Sequence, residues 1–393
     1  MKSAIFGLVT ALSASFATAS TLYAASYGGS VYSLAFNESR GSLSTLEKSQ
    51  DCGSSPSWLM LDQPHGILYC LNEAIDAANG SITSYQTFNN GSLETIEQLT
   101  TPAGLVMSAI YTAAGVKDSG FFAVAHYETS TVTNYAVDRV KGQFQNLQTF
   151  TFEMSHPGPN TTRQDAPHPH GAFVDPTGKF VLVPDLGADL VRIFAINSST
   201  GYLEPVQPYH ATPGSGPRHL AFWTPKSSNA TTNDVYMFLV HELTNEVSGF
   251  RVAYSKSGMS FDRFFHGTSF GNYTAPSSSK VAEIKVSPDN THLIISNRLD
   301  NTFGSNNDSI AVFDIADKKG ERFTGVRFVG LYPAFGSSVR HFDIGGSPQE
   351  LAVSLENSQK VGVIEWNMHK DEPGRLLAEA TLDGDVPAAI WAK

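Results

Sequence analysis

The residues of this chain best placed to do chemistry are histidines, arginines and carboxylates that flank short segments, and they include His170, Arg218, Glu242 and Arg298. Each lies beside a short apolar segment with the composition of a β-strand. A guanidinium group binds a carboxylate or phosphate through two parallel hydrogen bonds, and a histidine exchanges a proton near neutral pH. The combination predicts proton-transfer chemistry on a small polyanionic substrate.

Further polar residues occupy equivalent positions beside such segments and are predicted to bind the substrate: His168, Asp185, His126, Glu73 and Arg340. Structural roles remain open for some of them. His168 precedes Pro169 and could only order a loop, Asp185 could form a turn, and the arginines could tie loop carbonyls together. Glu242 could likewise be a solvated loop acid. The cluster, more than any one member, indicates a site.

The sequence lacks the motifs of several other chemistries. It contains no His-Glu-x-x-His metal motif, no Gly-x-Ser-x-Gly elbow, no Walker loop and no dinucleotide fingerprint. Arginines also repel a metal cation at the same site. We therefore expect neither a metal nor a cofactor. A net charge of −11 argues against nucleic acid or an anionic membrane as partner, and no segment after the first 19 residues is long enough for membrane insertion.

A β-rich unit, repeated about every 40–50 residues, must position these side chains. One copy runs from His168 to Val206 and contains an apolar segment, a turn at Asp175–Gly178, and three more short segments. Four short strands per repeat are typical of a β-propeller blade. The sequence therefore predicts an all-β, seven-bladed β-propeller with four-stranded antiparallel blades.

The second strand of each blade gives the count of seven: Leu22–Ser26, Ile67–Leu71, Phe121–Ala125, Phe180–Pro184, Val235–Val240, His292–Ser296 and Glu350–Ser354. First strands precede all but the earliest: Ser57–Leu61, Val106–Tyr111, His170–Asp175, Arg218–Trp223, Ala282–Ser287 and Arg340–Ile344. The missing first strand is predicted at Val386–Trp391, so that the C-terminal strand joins the N-terminal blade and closes the ring.

Propeller geometry places the candidate residues on one rim of the central channel. First strands run away from this rim and second strands return to it, so the residues that flank them meet there. His219 and His341 each follow an arginine by one residue. Since side chains alternate along a strand, we expect these two histidines to pack between blades.

The N-terminus predicts export. Residues 1–19 combine Lys2, an apolar run and a small-residue cleavage site, as in a secretory signal peptide, which leaves residues 20–393 as one propeller domain. Asn-x-Ser/Thr sequons support secretion as a glycoprotein, with a cell-wall or cell-surface location as an extension: Asn37, Asn79, Asn90, Asn160, Asn197, Asn229, Asn272 and Asn307. Cys52 and Cys70 could form a disulfide in an oxidising compartment or remain two separate thiols.

The chain resembles the lactonase family of seven-bladed propellers in the stretches HPHGAFVDPTGKFVLVPDLGADLVRIF, GPRHLAF, VYMFLVHELTNEVSGF, SPDNTHLIISNR and VRHFDIGGSPQELAVSLENSQKVGVIEW. That family includes fungal 3-carboxy-cis,cis-muconate lactonizing enzymes and bacterial propeller-type 6-phosphogluconolactonases. The resemblance spans residues 165–366 and is weaker in the N-terminal third.

This resemblance implies a cofactor-free reaction at the channel mouth, in which His170, Arg218, Glu242 and Arg298 form the active group. The first expectation is muconate-type cyclization, in which arginines hold substrate carboxylates and His170 or Glu242 delivers a proton to carbon. A lactone hydrolase of the 6-phosphogluconolactonase type is the alternative. The third is a non-enzymatic secreted or cell-surface glycoprotein, such as an adhesin with host contacts.

Overall fold

The computed structural model describes residues 20–75, 77–114, 119–226, 234–255, 258–345, 350–367 and 372–392. The predicted signal peptide, residues 1–19, and the sequon at Asn229 lie outside the described residues. Within them, the chain forms seven antiparallel sheets of four strands each, with three short 3-10 turns as the only helical segments. No helix in this part of the chain has the length and apolarity that a membrane crossing requires.

The strands follow one another blade by blade along the chain. Blade 1 contains β1 (Ser20–Ser26), β2 (Ser30–Asn37) and β3 (Ser42–Ser49), and blade 2 contains β4 (Pro56–Asp62), β5 (Ile67–Asn72), β6 (Asn79–Thr87) and β7 (Leu93–Pro102). Blade 3 contains β8 (Leu105–Tyr111), β9 (Ser119–His126), β10 (Thr131–Asp138) and β11 (Gln143–Thr151), and blade 4 contains β12 (Phe173–Val174), β13 (Phe180–Asp185), β14 (Leu190–Ile196) and β15 (Leu203–His210).

The remaining blades repeat the same order. Blade 5 contains β16 (Pro217–Trp223), β17 (Val235–His241), β18 (Glu246–Ser255) and β19 (Gly258–Thr268), and blade 6 contains β20 (Lys280–Val286), β21 (His292–Arg298), β22 (Ser309–Ala316) and β23 (Phe323–Pro333). Blade 7 contains β24 (Val339–Ile344), β25 (Glu350–Leu355), β26 (Lys360–Asn367) and β27 (Glu372–Thr381).

The last strand, β28 (Ala388–Trp391), closes the ring. It pairs with β1 in antiparallel register, with Leu22 opposite Trp391 and Ala25 opposite Ala388, and so becomes the first strand of blade 1. The pairing removes the open edges that a linear row of sheets would present. The predicted fold, blade count and closure are therefore confirmed.

Burial within each blade follows strand position. The second strands β5, β13 and β25 are buried along their whole length because neighbouring blades cover both of their faces. Outer strands such as β3 are mostly exposed and carry charged residues, which protect a sheet edge from pairing with another chain. The apolar core lies between blades: Leu182 of blade 4, for example, packs in one cluster with Leu239 of blade 5.

One first strand is much shorter than predicted. The sequence predicted His170–Asp175 for blade 4, whereas β12 covers only Phe173–Val174, and an isolated bridge joins Pro169 to Asp185. Pro169 has no backbone N–H to donate, and Gly171 has no side chain to pack, so the ladder is interrupted between them. The backbone around His170 stays tied to the next strand despite this interruption, since His170 N–H donates to Pro184 O at 2.8 Å.

Cys52 and Cys70 form a disulfide with a Cα–Cα distance of 6.0 Å. The sequence left this pairing open. The bond links the loop before β4 to strand β5 within the buried core of blade 2. Nearby, Asn72 accepts a hydrogen bond from the Ser55 N–H, and Ser55 O accepts one from Glu73 N–H, so the disulfide and these bonds hold Glu73 in place.

The sequon asparagines differ in exposure. Asn79, Asn90, Asn160 and Asn272 are exposed, whereas Asn37, Asn197 and Asn307 are half-buried. The half-buried ones have side-chain hydrogen bonds; for example, Asn307 Oδ1 accepts from Phe335 N–H at 2.8 Å. Because a glycan requires an accessible side chain, the exposed four are the better acceptors, and glycosylation itself stays a prediction.

Candidate functional site

At or just before the end of several second strands, near the channel mouth, a polar side chain forms hydrogen bonds to neighbouring strands and loops of its own blade. Asn72 accepts from Ser55 N–H and donates to Ser81 Oγ, and His241 bonds Ser215 Oγ and Ser248 Oγ. Asn297 accepts from Ser269 Oγ in the same position of blade 6. In each of these blades, the residue that follows this polar residue points to the other side, into the channel mouth. This alternation separates structural residues from pocket residues.

His126 forms such hydrogen bonds and does not line the pocket, so its prediction as a substrate ligand is wrong. Its Nε2 lies 2.8 Å from Thr133 Oγ1 and its Nδ1 lies 3.0 Å from Pro102 O, with no exposed surface. Burial lowers its pKa to about 4, which keeps the imidazole neutral. The neighbouring Tyr127 faces the pocket instead.

The predictions that Asp185 and His168 bind the substrate are also wrong, because both side chains are used in hydrogen bonds within the protein. Asp185 is fully buried: its carboxylate accepts from His168 N–H at 2.7 Å and binds Arg192 Nε at 2.8 Å. The His168 ring stacks on Tyr127, and its two nitrogens contact Tyr127 O and Asp165 Oδ1 at 2.9 and 3.0 Å. Both side chains order the loop that carries His170, and neither has an atom left for a substrate.

A β-bulge near the start of most first strands changes the direction of their side chains. The register shifts between Pro217 and Leu220 in β16 and between Val339 and His341 in β24. A bulge opposes two residues to one, so consecutive side chains no longer alternate. Arg218 faces the pocket and His219 the channel below it, and Arg340 and His341 repeat this arrangement.

His219 and His341 therefore lie in the channel and not between blades, which corrects that expectation. His219 Nδ1 is 3.2 Å from Glu283 Oε2, and His341 Nε2 is 3.7 Å from the same oxygen. Both imidazole rings pack against the indole of Trp58, which lies on β4 of blade 2. His219 also contacts the ring of His170, with centroids 5.3 Å apart, so this layer forms the floor of the pocket.

Glu242 is the centre of the pocket. Its carboxylate is 1% exposed and lies 2.9 Å from Arg218 Nε and 2.8 Å from Arg298 Nη2. Arg163 Nη2 lies 2.8 Å from the other oxygen, and His170 Nε2 lies 4.0 Å away. The Arg218 contact also has hydrogen-bond geometry, whereas Arg298 Nε and Nη2 have no hydrogen-bond partner among the described residues.

These charges fix the protonation states of the pocket. Burial acts to raise the pKa of Glu242, but the three guanidinium groups hold it well below its ordinary value, so the carboxylate is ionised. Burial, followed by the charge of Arg218, lowers the pKa of His170 well below its ordinary value, so the imidazole is neutral. Burial and the nearby Arg298 lower the pKa of Arg218 to about 9, which leaves it charged at neutral pH.

Arg340 forms a second charged group on the other side of the pocket. Its Nη1 lies 2.8 Å from Glu356 Oε1 and 2.6 Å from the Tyr27 hydroxyl, and its Nη2 lies 3.7 Å from Glu73. Tyr27 donates to Glu73. Burial opposes the charge of Arg340, yet Tyr27 and the two carboxylates raise its pKa well above the ordinary value.

The pocket between these groups has a volume of about 370 Å³ and opens at the channel mouth. Six of the predicted site residues line it: His170, Arg218, Glu242, Arg298, Glu73 and Arg340. The four predicted catalytic residues are thus brought together, as the rim geometry required. In the described residues, no group of three or more His, Cys, Asp or Glu side chains could hold a metal ion.

Four charged residues that line the pocket were not among those predicted from the sequence: Glu128, Arg163, Lys280 and Glu356. Glu128 is exposed, in the turn after β9. Glu356 directly follows the second strand β25, as Glu242 directly follows β17. The expectation that residues after second strands face the channel mouth would have found it, had it been applied to the seventh blade. Lys280 begins β20, two residues before the predicted strand start. Arg163 lies in residues 152–172, the longest connection between one blade and the next, and the length of this loop is the signal that could have pointed to it.

The comparisons with known proteins agree on one family. Residues 17–390 match the family described as lactonase, 7-bladed β-propeller. A probable 6-phosphogluconolactonase of Arthroderma benhamiae is 27% identical over 372 residues, which are 94% of this chain and 87% of that protein. A 6-phosphogluconolactonase of Formosa agariphila is 25% identical over 91% of this chain and 94% of its own length.

Solved structures share the fold. A putative 6-phosphogluconolactonase from Bacteroides uniformis superposes with a TM-score of 0.77 at 20% identity, covering 95% of this chain and 99% of that one. The periplasmic gluconolactonase of Pseudomonas aeruginosa superposes with a TM-score of 0.75 at 22% identity over the same shares. With a family match over nearly its whole length, the chain belongs to the seven-bladed β-propeller lactonase family.

Proposed function

We propose that this protein hydrolyses a small sugar lactone. The observation that carries the proposal is the convergence of three guanidinium groups and a neutral histidine on one buried, ionised glutamate in a pocket of about 370 Å³. Such a pocket is in the size range of small-molecule sites. The names of two relatives support a lactone as the substrate, since one is a probable 6-phosphogluconolactonase and the other a 6-phosphogluconolactonase.

In this proposal His170 is the general base. Its Nδ1 has no hydrogen-bond partner among the described residues, and its low pKa leaves it unprotonated. It takes a proton from the attacking water as the water oxygen bonds to the lactone carbonyl carbon. The resulting imidazolium is stabilised by Glu242, 4.0 Å from Nε2. The ring C–O bond then breaks, the alkoxide takes the proton back from His170, and the product is a hydroxy acid.

Arg218 stabilises the negative charge that develops on the carbonyl oxygen. It is 1% exposed, and its Nη1 has no partner among the described residues. A guanidinium held in a water-poor pocket by a fixed carboxylate needs no reorganisation when the oxyanion forms, which is worth several kcal/mol of barrier. Arg298 keeps two nitrogens without hydrogen-bond geometry to Glu242 and is placed to orient the same oxygen.

The protonation states favour hydrolysis over cyclization of a carboxylated muconate. Cyclization requires a proton donor to carbon, and the sequence-based hypothesis gave that role to His170 or Glu242. Glu242 is held ionised and His170 neutral, so neither is poised as an acid. The Glu242 carboxylate also occupies arginine groups that were expected to bind two substrate carboxylates.

We also propose that the protein is exported. The disulfide between Cys52 and Cys70 suits an oxidising compartment, and the four exposed sequon asparagines are accessible to glycosylation. Recovery of the protein from the culture medium of its host, with a mass that falls on enzymatic deglycosylation, would support export. Retention of an unprocessed chain inside cells would contradict it.

The activity is tested with the purified glycoprotein. Glucono-δ-lactone and 6-phosphogluconolactone are followed by proton release, and 3-carboxy-cis,cis-muconate by loss of its ultraviolet absorbance. We expect proton release with a lactone and no loss of the muconate absorbance. Turnover of the muconate alone would support the cyclase instead. No turnover of any of the three substrates would support a non-enzymatic glycoprotein.

Arg298→Ala should reduce lactone turnover by a factor on the order of 10²–10³, which is typical for the loss of one oxyanion donor. Arg375→Ala is the matched control, because Arg375 lies on an outer strand with a side chain 74% exposed. Circular dichroism should show the same fold for both variants. Unchanged turnover in Arg298→Ala would remove this residue from the mechanism.

A further inference from the structure

The pocket has two ends of opposite charge. Around Glu242, the cations Arg163, Arg218, Arg298 and Lys280 face a single buried carboxylate. Around Arg340, one guanidinium faces Glu73 and Glu356. A ligand that enters meets an excess of positive charge at one end and of negative charge at the other, so the pocket orients it.

Lys280 is the cation at the positive end that forms no hydrogen bond or ion pair with the residues that the structure describes. It lies opposite Arg298 in the register of β20 and β21 and is half-buried at the pocket wall. Glu242 is the carboxylate whose charge acts on the Lys280 ammonium group, and three arginines share that carboxylate. Burial, followed by the charge of Arg163, lowers the pKa of Lys280 from its ordinary value, and the charge of Glu242 offsets this only in part.

We propose that Lys280 binds an oxyanion of the substrate remote from the lactone carbonyl, a phosphate or a carboxylate, and so selects an anionic sugar lactone over a neutral one. This inference rests on the proposed function and names its substrate class. A partly desolvated ammonium beside two guanidinium groups is unfavourable in the empty pocket, and a bound anion relieves that repulsion. The binding free energy of the anion is therefore larger here than on an exposed surface.

The negative end restricts how many anionic groups the substrate carries. Glu73 and Glu356 accept hydrogen bonds well from sugar hydroxyls but repel a second carboxylate or phosphate. The three arginines around Glu242 are already charge-compensated by it to a large extent. The preferred substrate therefore has one remote anionic group and several hydroxyls, in place of the polyanion that the sequence predicted.

The test compares Lys280→Met with the wild type on three lactones: 6-phosphogluconolactone, a glucarolactone with a free carboxylate, and neutral glucono-δ-lactone. Methionine keeps the length of the side chain and removes its charge. Loss of one partner of a partly desolvated charge pair should lower kcat/KM on the preferred anionic lactone on the order of 30-fold, mainly through KM. The value for glucono-δ-lactone, which carries no anionic group, should fall by a clearly smaller factor than the value for the anionic lactone. The anionic lactone with the larger loss identifies phosphate or carboxylate as the group bound.

Lys141→Met is the matched control, because it removes the same charge from a side chain that is 69% exposed and lies outside the pocket. It should leave all three lactones unaffected. An equal loss on neutral and anionic lactones with Lys280→Met, or no loss on either, would overturn the role of Lys280 while leaving hydrolysis intact.

A binding measurement separates this proposal from the proposed function. If the wild type opens no lactone, the proposed function fails, and calorimetric titration with 6-phosphogluconate and with glucarate still tests the anion site. Binding that weakens on the order of 30-fold in Lys280→Met, and not in Lys141→Met, supports the site. Equal affinity of the wild type and Lys280→Met for both ligands overturns it.

Discussion

Glu242→Gln is the substitution that tests the pocket most directly. It keeps the shape of the side chain and removes the only charge that Arg163, Arg218 and Arg298 share, at distances of 2.8–2.9 Å. At an effective dielectric constant of about 20, two charges about 4 Å apart interact with about 4 kcal/mol. The wild-type cluster has three such attractions against the mutual repulsion of the arginines, and in the variant only the repulsion remains.

We expect Glu242→Gln to lower the free energy of unfolding by about 5 kcal/mol, the upper end of the cost of breaking a buried ion pair. The matched control is Glu379→Gln, whose side chain is 40% exposed and paired with Lys360. Its effect should stay below about 1 kcal/mol. Urea unfolding followed by tryptophan fluorescence gives both values, with the slope of the transition checking that the same surface unfolds.

A second substitution shows whether repulsion is the cause. Arg163 is the most exposed of the three arginines at 28%, so Arg163→Met removes its charge with little disturbance of the core. Added to Glu242→Gln, it should recover about 1–2 kcal/mol because two of the three repulsive pairs disappear. The reasoning is refuted if Glu242→Gln costs less than about 1 kcal/mol, or if the two substitutions simply add.

Two further predictions concern stability. His126, His241 and His341 have pKa values that burial lowers to about 4, 3 and 3, so each binds a proton more weakly in the folded than in the unfolded chain. Their contribution is complete above about pH 6.5 and decreases below it, by about 2 kcal/mol each at pH 5, and a urea midpoint that stays constant from pH 8 to 5 would contradict this. Replacing Cys52 and Cys70 by serine opens a loop with a sequence separation of 18 and should cost about 3 kcal/mol by the same assay; a midpoint equal to that of the wild type under oxidising conditions would exclude a stabilising disulfide.

Strand positions could be predicted from the sequence because a blade is a local structure. The second strand of blade 5 was expected at Val235–Val240 and ends one residue later, at His241. Its continuous apolar run can be read from the strand's own sequence, and such a run indicates burial on both faces. Only β12 fell well short of its predicted length, where Pro169 and Gly171 interrupt the ladder.

Site residues could be predicted where the end of a strand fixes their position, but not where the course of a loop does. Glu242 and Arg298 follow from the ends of β17 and β21. Asp185 also ends its strand, but it was misassigned because its carboxylate binds Arg192 and the His168 N–H inside the blade. Arg163 depends on the course of a long loop, which the buried Gln164 fixes through a bond to Leu186 O at 3.0 Å. No local pattern in the sequence contains that contact.

The bulges explain how one rim supplies both an anion-binding layer and a proton-accepting layer. Alternation along a regular strand would send Arg218 and His219 to opposite faces of the sheet, whereas the bulge directs both towards the axis at different depths. His170 then lies between Arg218 and His219, and this environment of burial and positive charge lowers its pKa. At neutral pH a histidine in such a place is unprotonated and has no proton to donate to carbon, so this environment disfavours the proton donation that muconate cyclization requires.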